Sequence, residues 1–81
     1  MIFFRPSRSQ IILAFAYDRV NSNLYIRFRQ TSEFVYRYKN VPRRTVWEFL
    51  SADSAGSYFS RKIKNKFEYE KLVYKDFIKS I

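Results

Sequence analysis

The stretch "LYIRFRQTSEFVYRYK", Leu24 to Lys39, decides the fold. Leu24, Ile26 and Phe28 alternate with Tyr25, Arg27 and Arg29; beyond the polar "QTSE", Phe34, Tyr36 and Tyr38 alternate with Val35, Arg37 and Lys39. Successive side chains of an extended chain point to opposite faces. A period of two therefore predicts two strands sharing one apolar face, with the arginines and the lysine on the other. Joined by a short polar loop, they form an antiparallel pair with a core side and a basic side.

Upstream, Ile11 to Asp18 reads as a further strand whose odd positions, Ile11, Leu13, Phe15 and Tyr17, are larger than Ile12, Ala14 and Ala16. The following "DRVNSN" is rich in turn formers, and Asp18 and Asn21 can bond their own backbone there, which predicts a hairpin. Residues 1–10 are basic and broken by Pro6, as in an arm or a first edge segment.

Downstream, Pro42 suits the first turn of a helix, where no amide proton is needed. Val46, Phe49 and Leu50 then recur at helical spacing, so "RRTVWEFLSA" predicts a short amphipathic helix ending near Asp53. Asp53 or Ser54 can cap a second helix with Tyr58, Phe59 and Ile63 inward and Arg61, Lys62, Lys64 and Lys66 outward. In the tail, Tyr69, Val73, Phe77 and Ile81 lie four apart, as do Lys71, Lys75 and Lys79, which predicts a third helix. The expected architecture is one α+β domain over residues 1–81: a three-stranded antiparallel meander followed by two or three α-helices packed on one face.

The runs "SRSQIILAFAYD", "LYIRF", "VYRYKNVP" and "SADSAGSYFSRKI" resemble the KTSC domain, a small module named from the C-terminus of some lysyl-tRNA synthetases and also found as stand-alone bacterial and phage proteins. The resemblance covers roughly residues 7–70 and leaves about 71–81 as a C-terminal extension. Its most specific parts are Tyr17-Asp18, Val41-Pro42 and the spacing Ser54-x-Gly56-x-Tyr58-Phe59. It implies the fold, and the synthetase context implies RNA binding. Two positions depart from the family's habit: Thr31-Ser32-Glu33 stands where a hairpin glycine is usual, and Ser60 where an asparagine follows the Tyr-Phe pair.

Composition narrows the chemistry. The 81 residues include no histidine and no cysteine, so the commonest general base, thiolate chemistry and disulfides are absent. The seven carboxylates are scattered, and Asp18 and Asp53 fall at element boundaries where turn and cap roles account for them. A non-catalytic protein with no cofactor and no metal is expected. The longest uncharged apolar run, "IILAFAY", is far short of the roughly 20 residues that span a bilayer. With no signal-like leader, a cytoplasmic protein is expected.

Sixteen Lys and Arg against seven Asp and Glu leave a net charge of +9, a field that draws polyanions. The leading expectation is a nucleic-acid-binding module, RNA favoured over DNA. Tyr25, Arg27, Arg29, Arg37 and Lys39 would form a basic sheet face, where arginine grips phosphate with two donors and an exposed ring stacks a base. Arg43, Arg44 and the Arg61, Lys62, Lys64, Lys66 segment would add further phosphate contacts. Arg43 and Arg44 sit at a helix start, where positive charge is unfavourable by about 0.3–1 kcal/mol, although Glu48 can offset Arg44. The plain alternative for each patch is a solvated surface.

The competing expectation is a protein-interaction module, of the kind phages encode, that modulates an acidic host protein through Trp47 and the tail residues Tyr74, Phe77 and Ile81. Trp47 lies beside the Val46, Phe49, Leu50 stripe, as a core-margin ring or an exposed anchor. Gly56, the only glycine, marks a close approach between elements or a backbone angle other residues avoid. With no second glycine and no following Gly-Lys-Ser or Gly-Lys-Thr, it makes no phosphate-cradling loop.

Overall fold

A computed structural model describes residues 4–80. Five antiparallel strands, β1 (Arg5–Pro6), β2 (Ile12–Asp18), β3 (Asn23–Phe28), β4 (Phe34–Tyr38) and β5 (Tyr69–Val73), form one sheet in chain order. Between β4 and β5 come α1 (Arg43–Ser51) and α2 (Ala55–Tyr58), which runs on as a π-helical turn (Phe59–Ile63). The helix α3 (Tyr74–Ser80) follows β5 directly.

The period of two in Leu24 to Lys39 is realised as expected. Leu24 faces Tyr38 and Ile26 faces Tyr36 across β3 and β4. Ile12, Leu24, Ile26 and Tyr38 pack there against Val46 and Phe49 of α1 and against Tyr58, Phe59 and Ile63 beyond it. Each fully buried Ile or Leu on this face contributes roughly 1.5–3 kcal/mol. In β2 a bulge between Ile12 and Ala14 changes the parity, so Ile12, Phe15 and Tyr17 reach this core while Ala14 and Ala16 turn away.

The expected three strands are five: the first edge segment pairs with β2 as β1, and the tail supplies the fifth. Residues Tyr69 to Val73 are a strand, and the C-terminal helix is confined to Tyr74–Ser80. Four is an even number, so side chains four apart share a face in a strand as well as in a helix. The spacing of Tyr69 and Val73 therefore fits both states. What selects the strand is the open edge of β4, whose backbone groups need partners. Phe34 faces Val73 and Tyr38 faces Tyr69 along it, with the Tyr69 ring 5.4 Å from that of Tyr38.

The helices also lie on both faces of the sheet. Phe77 of α3 packs with Ala16, Tyr25 and Val35, flanked by Phe4, Leu72 and Tyr74, and makes a second, smaller core. The face expected to be basic and solvated is thus half covered.

The residues most specific to the resemblance have structural roles. The Tyr17 hydroxyl donates to the Val41 carbonyl at 2.6 Å, tying β2 to the entry of α1. The Asp18 carboxylate accepts from the amide of Val20 at 3.0 Å and the side chain of Asn21 at 2.7 Å, shaping the first hairpin. Those bonds, the Asn21 side chain first, hold its pKa below the usual carboxylate range. Ser54 caps α2 by accepting from the Ser57 amide at 3.2 Å, and the Tyr58 hydroxyl donates to Glu48 at 2.8 Å.

Candidate nucleic-acid interface

The cations expected on the sheet face are largely engaged within the protein. Tyr25 is 3% exposed, its ring 5.0 Å from Phe77, so it offers no platform to a base. Arg27 is partly buried and donates from Nη2 to the Ser32 carbonyl at 2.6 Å. Arg37 and Lys39 share one carboxylate, Glu70, at 2.6 and 2.5 Å. Lys39 first, and then Arg37, hold the Glu70 carboxyl below its ordinary range. The pairing of β5 with β4 brings Glu70 opposite Arg37, a partner invisible to a helical reading of the tail.

Arg29 is exposed, but its guanidinium donates to the carbonyls of Ser9 and Ser7, both at 2.8 Å, and pins the segment before β2. At the start of α1, Arg43 is exposed and Arg44 extends into solvent with a loose 3.8 Å contact to Glu48. Trp47 is 71% exposed, an open ring rather than a core-margin one, and Leu50, expected in the core stripe, is half exposed beside it. Phe77 is buried against the sheet and Tyr74 is partly buried beside it. Ile81 lies outside the described residues.

The cations of the Arg61 to Lys66 segment are exposed as expected, but the helix stops at Ile63, and Lys64 and Lys66 stand on the turn beyond it. Arg61, Lys62, Lys64 and Lys66 are all exposed, and none makes an ion pair among the described residues. The π-helical turn closes when the Lys64 amide donates to the Phe59 carbonyl at 2.8 Å. Asn65 then takes a left-handed φ of 66°, which asparagine tolerates, and reverses the chain toward β5. Irregular helical turns of this kind recur at functional sites.

Beside that turn lies a cleft of about 310 Å³. Its walls are the rings of Phe28, Tyr36, Tyr38, Phe59 and Tyr69, and its rim carries Ser60, Lys64 and Asn65. Tyr69 is 56% exposed and tilts against Tyr36 and Tyr38, so one ring is presented to solvent with two behind it. Burial, with Tyr69 and Tyr36 nearby, pushes the Tyr38 phenol well above its ordinary range, so it stays neutral. A half-open aromatic slot with a lysine at its mouth can stack a planar ring and hold an anion next to it. Ser60, where the resemblance leads one to expect asparagine, stands at this rim. The sequence reading missed Tyr69 as a site residue because it placed it on a helix; its four-residue distance from Asn65 gave no signal.

A second cleft, of about 550 Å³, opens between the Pro6 to Ile11 segment and the α1–α2 junction. Arg8, Gln10 and Ser54 supply polar groups there, with Asp53 the carboxylate in its lining. No group of acidic side chains that could hold a metal occurs among the described residues. No helix there is long and apolar enough to cross a membrane.

The model of the KTSC domain matches residues 8–67. The chain is also similar to a KTSC domain protein from Yersinia pestis, known from its crystal structure, with 38% sequence identity and a TM-score of 0.84. That similarity covers 89% of this chain and 99% of the other. No curated protein matches it. The span matched by the domain model ends just before β5 and α3.

Proposed function

The chain belongs to the KTSC domain family, and from that footing we propose that it is a small, basic, non-catalytic module that binds single-stranded nucleic acid, RNA in preference to DNA. One observation carries the reading. The aromatic cleft closed by Tyr69 has Lys64 at its rim, within a segment whose Arg61, Lys62, Lys64 and Lys66 are all exposed. Base stacking on such a ring contributes roughly 1–3 kcal/mol per base and tolerates any sequence, while the neighbouring cations neutralise the phosphates. The net charge of +9 raises the local concentration of a polyanion around the site.

This reading moves the interface away from the sheet. Arg27, Arg37 and Lys39 have partners inside the protein, and Tyr25 is buried, so the phosphate contacts fall to the turn, with Arg43 and Arg44 as outlying contributors. The test is binding of a short labelled single-stranded RNA over a series of salt concentrations. Log affinity should fall with log salt at about −0.7 per phosphate neutralised. Lys62→Glu with Lys64→Glu should weaken binding strongly, and absence of binding at low salt would overturn the proposal.

A second reading is favoured by Trp47. A tryptophan 71% exposed beside a half-exposed Leu50 is the kind of anchor that protein partners bury. On that reading a host protein docks on α1 rather than on the C-terminal helix, whose Tyr74 and Phe77 are already packed. Capture of a stoichiometric protein that survives nuclease treatment and is lost in Trp47→Ala would favour it.

A further inference from the structure

The two clefts meet at one point, since Ile11 and Gly56 line both. Gly56 sits at the start of α2, and a Cβ built on it would lie 3.2 Å from Cδ1 of Ile11 and 3.5 Å from Oγ of Ser9. A hydrogen in place of a side chain keeps this saddle low. What stands over this buried glycine, between the clefts, is one aliphatic side chain, Ile11, itself 57% exposed.

The wall on the far side is braced. Arg29 holds the carbonyls of Ser7 and Ser9, the Ser9 hydroxyl accepts from the amides of Ile11 and Ile12 at 3.1 Å, and the Ser7 amide donates to the Leu13 carbonyl at 3.0 Å. A wall fixed in this way is preorganised, so a ligand laid along it orders little further chain. Both clefts have volumes in the roughly 300–1,000 Å³ range of small-ligand sites.

Cations stand at both ends, Lys64 at the rim of the aromatic cleft and Arg8 in the lining of the other. Asp53 is unsuited to phosphate but can accept from the exocyclic amino group of a base. We infer that the two clefts are successive subsites of one path for an extended single strand of nucleic acid. A base stacks at Tyr69, the backbone crosses the saddle at Ile11, and a following nucleotide lies between Arg8 and Asp53. The inference rests on the nucleic-acid reading above and adds the course of the strand. Paired bases cannot reach the rings, so the path also selects single strands over duplex.

The experiment uses the full chain, isotope-labelled, with a short single-stranded RNA of mixed sequence and the same RNA as a duplex. The expected result is that the single strand shifts the amide signals of Ser9 to Ile11 and of Asp53 to Gly56 together with those of Ser60 to Tyr69. Arg8→Glu, a change at an exposed site, should weaken binding about tenfold, equivalent to 1.4 kcal/mol, and the duplex should bind about tenfold more weakly. If Lys64→Glu weakens binding while Arg8→Glu does not, the nucleic-acid reading stands and the two-cleft path falls. If neither has an effect, or no RNA binds at low salt, both fall.

Discussion

The guanidinium carbon of Arg27 lies 3.4 Å from the centroid of the Tyr74 ring, so the first residue of α3 is stacked on a cation of β3. The Tyr74 ring also meets Phe4 edge-on at 5.7 Å, and Nε of Arg27 is buried without a partner. The stack therefore covers a guanidinium whose Nε water cannot reach. Tyr74→Ala should lower stability to urea by about 2 kcal/mol, since cation–π contacts reach that size once desolvated. RNA affinity should be unchanged in the folded variant. A large loss of affinity at unchanged stability would return Arg27 to the interface.

Glu70 bridges Arg37 and Lys39, and both partners lower its pKa. A carboxyl whose folded value is depressed adds stability that is complete above the unfolded value and is lost as pH falls through the folded one. Glu70→Gln should therefore be destabilising at neutral pH, with the difference from the parent protein fading as pH drops below about 4. Unfolding midpoints of the two proteins across an acid series read this directly. A difference independent of pH would mean that the carboxylate acts by packing alone.

At Gly56 the sign of a substitution depends on what yields. The added Cβ of alanine would press on the tip of Ile11, which is exposed and can rotate, while a helical alanine gains up to about 1 kcal/mol over glycine. Gly56→Ala should change stability by less than about 1 kcal/mol. Gly56→Leu, too long for the saddle, should cost about 1–3 kcal/mol through overpacking. Denaturation of both variants decides it, and a heavy penalty for alanine would mean that Ser9 and its braced wall, not Ile11, meet the new atom.

Trp47 is the only tryptophan and is 71% exposed. Its fluorescence emission should hardly move on unfolding, and Trp47→Ala should alter stability by no more than about 0.5 kcal/mol. A marked red shift on unfolding would show the ring packed in the native state.

The sheet core was legible from Leu24 to Lys39 because alternation of large apolar and charged residues has one structural solution there. The helix α1, the cap at Ser54 and the turn at Asp18 were legible from residue types with specific backbone roles. The tail was not, because Tyr69 and Val73 satisfy helix and strand spacing alike, and only the vacant edge of β4 decides between them. That one ambiguity spread to the site. Without β5, Glu70 has no reason to meet Arg37 and Lys39, the second face has no cover over Tyr25, and Tyr69 does not close the aromatic cleft. The Arg61 to Lys66 segment was legible because it is local and needs no distant partner to be exposed.

The sheet ends on one side at a two-residue strand containing Pro6, which cannot extend a ladder, and on the other at β5 with Lys71 in its middle. A second copy joining β5 about a two-fold axis normal to the sheet must keep each face, which allows only certain registers. Centring on residue 71 sets Lys71 against Lys71, and centring on residue 70 sets Glu70 against Glu70. Centring on Leu72 runs into Tyr74, where α3 has begun. Like charges directly opposed in a ladder repel. Both borders of the sheet are thus guarded against endless strand-by-strand growth, and a chain rich in β-forming aromatic residues can remain dispersed when crowded.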